Sequence, residues 1–204
     1  MKENNMKKFY QSEGSKYVLK EVKALAGEEK ALGLFNEANQ NANLLHKQHK
    51  ATTAFEQMHL NMIIERVALY QVLKREYPDQ VWAWMDELAR LDSQQMRQFV
   101  DNFSSSSILK RIFMPMMRFM TKRVFGKPAG FDQVITESTK DSFAFDLYAC
   151  PYHKWCTKLG EEELTKNFCD ADHHTYDNLK HFAFSRSQTL GYGGKKCDFR
   201  YWLK

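Results

Sequence analysis

No long apolar run exists in this sequence. Its greasiest stretch, "ILKRIFMPMMRFM" at 108–120, is interrupted by Lys110, Arg111 and Arg118 and is too short to cross a bilayer. The opening "MKENNMKKFY" lacks the apolar core of a secretory signal, so a cytoplasmic protein with no membrane span is expected. No CxxC pair is present, which removes the main support for a zinc ribbon or a dithiol redox motif. HExxH, a phosphate-cradling glycine loop and a Ser/His/Asp elbow are missing too, and Gly193-Gly194 lacks the strand-to-helix flank of a phosphate site. A net charge of +5 over 204 residues favours an anionic ligand only weakly. No basic motif interleaved with aromatics points to nucleic acid.

What is present suits a globular enzyme or binding domain. The length can bury a real core in one domain or two small ones. Fifteen Phe, nine Tyr and ten Met supply the soft, aromatic side chains that line clefts. Nothing in the composition excludes an oligomer.

Residues 6–125 read as helices. In "TAFEQMHLNMIIERVALYQVLKREY" the apolar residues Phe55, Met58, Met62, Val67, Tyr70 and Leu73 recur as on a buried helix. Pro78 suits the first position of the next helix, with Asp79 in its first turn. The serines at 104–107 could cap a further helix in which Pro115 predicts a kink. On that helix Ile108, Ile112, Met116, Phe119 and Met120 share a face, largely opposite Lys110, Arg111, Arg118 and Lys122. The basic face could lie on anionic lipid or nucleic acid, but the apolar stripe has the width of a packing face and predicts a bundle helix with a solvated back.

"GKPAG" at 126–130 punctuates the chain, and the period changes after it. "FDQVITESTKDSFAFDLYAC" reads as two strands around a turn near Ser138–Asp141. In the second strand Phe143, Phe145, Leu147 and Ala149 form one face; Ala144, Asp146, Tyr148 and Cys150 form the other. Two helical segments follow, then strands "HFAFSRSQTLGYG" and "CDFRYWL" joined by a Gly191–Gly194 hairpin. The predicted class is α+β: an N-terminal helical bundle (1–125), then a small antiparallel sheet with packed helices (131–204), together one compact unit.

All four cysteines lie in this second region, at Cys150, Cys156, Cys169 and Cys197. Buried thiols pack as small hydrophobes, yet "FCDAD" at 168–172 sets Cys169 beside Asp170 and three residues before Asp172. On a helix Cys169 and Asp172 are neighbours, whereas Asp170 and Asp172 take different partners. A thiol nucleophile would need a base and a compensating cation, for which Arg186 is the candidate; Arg186 could equally clamp a substrate carboxylate. Tyr148 is a further candidate for holding substrate. A zinc ion would need about four ligands, for example Cys150, Cys169 and Cys197 with Asp172 or a nearby His. Of the histidines, His59 reads as a satisfied core residue. His46, His49, His153, His173, His174 and His181 read as solvated or weak.

"CPYHKWCTKLGEEELTKNFCDADHH" followed by "SRSQTLGYGGKKCDFRYWL" resembles the L-2-amino-thiazoline-4-carboxylic acid hydrolase family. The resemblance rests on Cys150-Pro151-Tyr152, Leu159-Gly160, Phe168-Cys169-Asp170 with Asp172, Arg186 with Thr189, a glycine at 193 or 194, and Cys197-Asp198-Phe199-Arg200. "IERVALYQVLKREYPD" extends it upstream. It implies a hydrolase that opens a cyclic amidine bearing a carboxylate to a carbamoyl-cysteine. Either Asp170 or Asp172 would then activate water, or Cys169 or Cys150 would attack covalently, with Arg186, Thr189 and Tyr148 substrate-binding and Cys197 and Asp198 supporting. The substrate would be small, anionic and amino-acid-like. The rival reading is a non-enzymatic thiol-metal or small-molecule sensor, which would keep the cysteines but need no general base.

Overall fold

The computed structural model describes residues 10–204, so the first helical residues of the sequence reading, 6–9, and most of the opening decapeptide fall outside it. Among the described residues the fold is α+β. Five helices come first: α1 (Glu13–Ala26), α2 (Glu28–Gln48), α3 (Ala54–Glu76), α4 (Val81–Ser105) and α5 (Lys110–Val124). Then follow β1 (Asp132–Ser138), β2 (Ser142–Ala149), α6 (Pro151–Lys158), α7 (Thr165–Tyr176), β3 (Phe182–Ser185) and β4 (Cys197–Leu203). No helix among these residues is long and apolar enough to cross a membrane.

Local chemistry sets the boundaries. Ser12 and Thr53 cap α1 and α3, their hydroxyls accepting the N–H groups of Ser15 and Glu56 at 3.1 Å each. Gly27, at φ 83°, closes α1 where a side chain would be strained. Pro78 sits in a lead-in turn and not at the first position of α4. The turn already carries a helix-like bond from Val81 N–H to Tyr77 O at 3.0 Å. The serine run ends α4 and starts α5: Ser106 Oγ accepts the Leu109 N–H at 3.2 Å.

The four strands form one antiparallel sheet in the order β1-β2-β4-β3. Its inner face carries Phe143, Phe145 and Leu147 from β2 opposite Tyr201, Phe199 and Cys197 from β4. Phe145 and Phe199 stack with ring centroids 4.9 Å apart. The predicted strand from 181 is shorter than expected. It ends at Ser185, and a long loop, not a tight hairpin, leads to β4. Asp198 holds that loop back by accepting the Ser187 and Gln188 N–H groups at 2.9 Å each and the Ser187 hydroxyl at 2.6 Å.

Two apolar clusters result, and they do not follow chain order. One joins α1–α4 to Trp155, Cys156 and Leu164 from the α6 region. The other sets Val100 of α4 and Phe113 and Met114 of α5 against the inner face of the sheet. Fully burying side chains of this size contributes about 1.5–3 kcal/mol each. Choosing Phe113 and Met114 as the buried face of α5 overturns the expected packing. The stripe of Ile108, Ile112, Phe119 and Met120 faces outward instead. Both sides of this helix carry large apolar residues, so periodicity alone picked the wrong one.

Candidate functional site

A cavity of about 190 Å³ lies between the inner face of the sheet and α7. Phe145, Leu147, Cys197, Phe199 and Tyr201 form its floor. Phe168, Asp172 and Tyr176, four residues apart on α7, form the facing wall together with Cys169, three residues before Asp172. Met62 of α3, Met117 and Thr121 of α5, and Phe125 just after it close the remaining side. Met62 and Phe125 are also exposed, which puts the mouth between α3 and α5.

Cys150 reaches this cavity against the alternation of its strand. Leu147 pairs with Gln133 and Ala149 with Asp132, so Tyr148 is an extra, unpaired residue in β2. Such a bulge shifts the inward–outward phase by one. Leu147 faces in, Tyr148 is 50% exposed, and Cys150 lines the cavity from the start of α6. The sequence had placed Cys150 on the outer face with Asp146. Asp146 does face outward from the cavity, buried between Lys196 Nζ at 2.6 Å and Arg200 Nη1 at 3.2 Å.

The electrostatic centre is Asp172 with Arg186. Arg186 lies one residue beyond β3, its side chain only 4% exposed, and donates from Nη1 to Asp172 Oδ2 at 2.6 Å. Its second nitrogen donates to the Cys169 carbonyl at 3.1 Å, and the guanidinium stands 5.6 Å from the Phe199 ring centre. The guanidinium of this pair is buried, while the Asp172 side chain keeps 31% of its surface. The second oxygen of Asp172 has no protein hydrogen bond among the described residues. Burial raises the carboxyl to about 6; the charge of Arg186 opposes that rise without cancelling it.

Burial acts on the thiols in the same direction. Cys150, Cys169 and Cys197 are all raised, Cys197 to about 11. Backbone N–H groups of His153 and Tyr152 oppose the rise at Cys150, as do Thr189 and Arg186 at Cys169, but desolvation outweighs them. All three are therefore protonated at neutral pH, and none is a resting thiolate. Although all three line the cavity, no group of three or more His, Cys, Asp or Glu among the described residues could hold a metal ion. The zinc set of Cys150, Cys169, Cys197 and Asp172 is not assembled.

The other sequence candidates lie around the cavity, outside its wall. Asp170 points off the opposite side of α7 and accepts the Tyr192 hydroxyl at 2.7 and 2.9 Å. Thr189 is buried beside Cys169 and caps the turn that carries Gly191. A Cβ on Gly191 would stand 2.9 Å from Cys169 Sγ, so glycine is what lets this loop close on the thiol. Asp198 anchors the loop after Arg186. Tyr148 is directed away from the cavity.

Sequence reasoning missed most of the aromatic wall. Tyr152 lines the cavity and donates its hydroxyl to His59 Nδ1 at 2.7 Å, while His59 Nε2 donates to the Val124 carbonyl at 2.7 Å. Burial lowers His59 and keeps it neutral. Arg66 also escaped notice: it bonds Asn167 Oδ1 at 2.7 Å and lies 5.4 Å from the Phe168 ring centre, tying α7 to α3. The surplus of Phe and Tyr was the available signal for this wall, but no spacing rule says which rings meet.

The family model of L-2-amino-thiazoline-4-carboxylic acid hydrolase matches residues 54–201, from the start of α3 into β4. Every residue named in the cavity wall falls inside that span. No curated protein matches the chain. Among solved structures, an H-NOX protein from S. oneidensis in the Fe(II)NO ligation state aligns over 92% of this chain and 96% of its own. Its identity is 12% and its TM-score 0.36, too loose a superposition to carry an argument.

Proposed function

The chain belongs to the L-2-amino-thiazoline-4-carboxylic acid hydrolase family, and from that premise we propose that its cavity opens a cyclic amidine such as 2-aminothiazoline-4-carboxylate by hydrolysis. One observation carries the reading: a carboxylate whose pKa is raised to about 6 stands in the wall of an otherwise aromatic cavity, fixed by a buried arginine. A general base works best with a pKa near the operating pH. At pH 7 Asp172 is mostly ionised yet still basic enough to take a proton from water as the water oxygen bonds to the amidine carbon.

The ring bond from that carbon to its departing heteroatom then breaks, and the heteroatom takes up a proton. Cys150 and Cys169 are protonated at neutral pH and line the cavity, so each has a proton to give. The net change is one water added and one ring bond opened, giving a carbamoyl-cysteine. Water activated by Asp172 is favoured over thiol attack, because burial holds every thiol of the cavity in its unreactive form. Arg186 positions the base, and its remaining N–H capacity can meet the substrate carboxylate.

The aromatic wall favours a second reading, binding of a small, largely apolar ligand without turnover. One experiment separates the two. Turnover of 2-aminothiazoline-4-carboxylate is followed by mass spectrometry for the native chain and for Asp172→Asn, with ligand affinity measured by calorimetry. The hydrolase reading expects Asp172→Asn to lose at least about 100-fold in kcat, the lower range for a general base, while affinity changes little. Undiminished turnover removes Asp172 from the base role; binding without any turnover favours the second reading.

A further inference from the structure

The outward face of α5 is a feature that the cavity chemistry leaves unused. Ile112 and Phe119, seven residues apart, stand in line on it at 56% and 55% exposure, and Ile108, 76% exposed, precedes them in the turn that leads into the helix. Soluble monomers seldom expose an apolar stripe of this kind without a use for it. Arg111 and Lys122 flank the stripe on one side. Arg123 flanks the other, its guanidinium 4.4 Å from the Phe119 ring centre. Between Asp101 and Asp132 the chain has six basic residues and no acidic one. None of Lys110, Arg111, Lys122 and Arg123 makes an ion pair among the described residues. At the start of α5, Lys110 and Arg111 join Lys140 and Lys204 around a groove with a single acid, Asp141.

We propose that this face docks on the surface of an anionic lipid bilayer. Ile108, Ile112 and Phe119 enter the boundary between headgroups and acyl chains, and the flanking Lys and Arg side chains meet the lipid phosphates. An apolar line edged by cations and free of acids matches a target with an anionic layer over an apolar one. Nucleic acid offers the phosphates but no apolar layer to receive the three side chains. A second copy of the chain docking by the same face would set like charges against each other. The helix lies on the surface, since none of the described helices can span a bilayer. Met117 and Thr121, on the inner side of the same helix, line the cavity, so docking brings the cavity mouth close to the lipid. The inference does not depend on the hydrolase reading.

The test is co-sedimentation of the full chain with vesicles of phosphatidylcholine alone and of phosphatidylcholine mixed with phosphatidylserine. Binding is expected to the mixed vesicles only and to weaken as salt rises. Lys122→Ala with Arg123→Ala should weaken it about 30-fold, from about fivefold per basic residue. Ile112→Glu with Phe119→Glu should abolish it while circular dichroism and thermal unfolding stay native. Equal binding to neutral vesicles, no binding to either, or full binding by the Ile112→Glu/Phe119→Glu variant overturns the proposal. So does an Ile112-dependent dimer in sedimentation analysis, or tighter binding to RNA than to the mixed vesicles.

Discussion

Replacing Arg186 with Met tests the central pair most directly. The substitution keeps an unbranched apolar stem where the side chain is 4% exposed and removes the charge 2.6 Å from Asp172. A cation at that distance lowers a carboxyl by about 1–3 pKa units. Without it the Asp172 pKa should climb from about 6 into the range of about 7–9. The base form is the ionised one, so activity falls as pH drops through the pKa, and the acid limb moves up with it. At pH 7 the ionised fraction falls from about nine-tenths to between about one-half and one-hundredth, so kcat/KM drops about 2- to 100-fold. At pH 9 at least about half of the rate should return if the loop holds its place. Arg186→Lys, which retains a charge, should leave the limb near its native position. The assay is a pH profile of kcat/KM for ring opening. A carbon NMR titration of the labelled Asp172 carboxyl reads the same pKa without turnover. An acid limb unmoved in Arg186→Met would refute Asp172 as the titrating base, and an unmoved carboxyl resonance would refute the electrostatic account itself.

Three further outcomes follow from the same geometry. Gly191→Ala would place a Cβ 2.7 Å from Thr165 Cγ2 and 2.9 Å from Cys169 Sγ. Overpacking of this kind costs about 1–3 kcal/mol, so scanning fluorimetry should find Tm lowered by several degrees, and an unchanged Tm would show that the loop has room to yield. Burial alone would raise Asp198, but hydrogen bonds from Ser187 and Gln188 outweigh it and leave the carboxyl below its ordinary value. Its stabilisation is therefore present above the unfolded pKa and lost as pH falls through the lower folded one. Asp198→Ala should cost about 1–3 kcal/mol at pH 7 in urea unfolding, and that deficit should shrink in strong acid. Cys197, raised from 9.0 to about 11, exposes about 100-fold less thiolate than an unperturbed thiol at pH 7.5. Mass-spectrometric labelling with iodoacetamide should be correspondingly slow and should accelerate with pH; rapid labelling at pH 7.5 would contradict the burial argument.

Much of this arrangement could be read from the chain. "GKPAG" marks the change from helices to sheet, because glycine and proline end a helix wherever they cluster. The neighbourhood of Cys169 and Asp172 follows from helix geometry, and so does the divergence of Asp170, which turned to Tyr192. Arg186 could be read as the cation compensating the thiol site or as a clamp for a substrate carboxylate, and its bond to Asp172 shows only in three dimensions. Both faces of α5 are apolar enough to be buried, and the choice fell to whichever met the sheet; Phe113 did. The rings of Tyr152, Tyr176 and Tyr201 converge from three separate elements, and local spacing carries no record of that convergence.

The extra residue at Tyr148 has a consequence for how relatives of this chain diverge. Leu147 and Ala149 sit opposite adjacent residues of β1, so the strand steps over Tyr148. A lineage that lost this one position would run a regular strand and still turn Leu147 and Cys150 toward the cavity. A lineage that kept it but straightened the pairing would present Ala149 in place of the thiol. Change of length here is thus neutral for the chemistry, while change of register is not. Two aligned sequences of unequal length across 147–150 can carry the same cavity, and two of equal length can carry different ones.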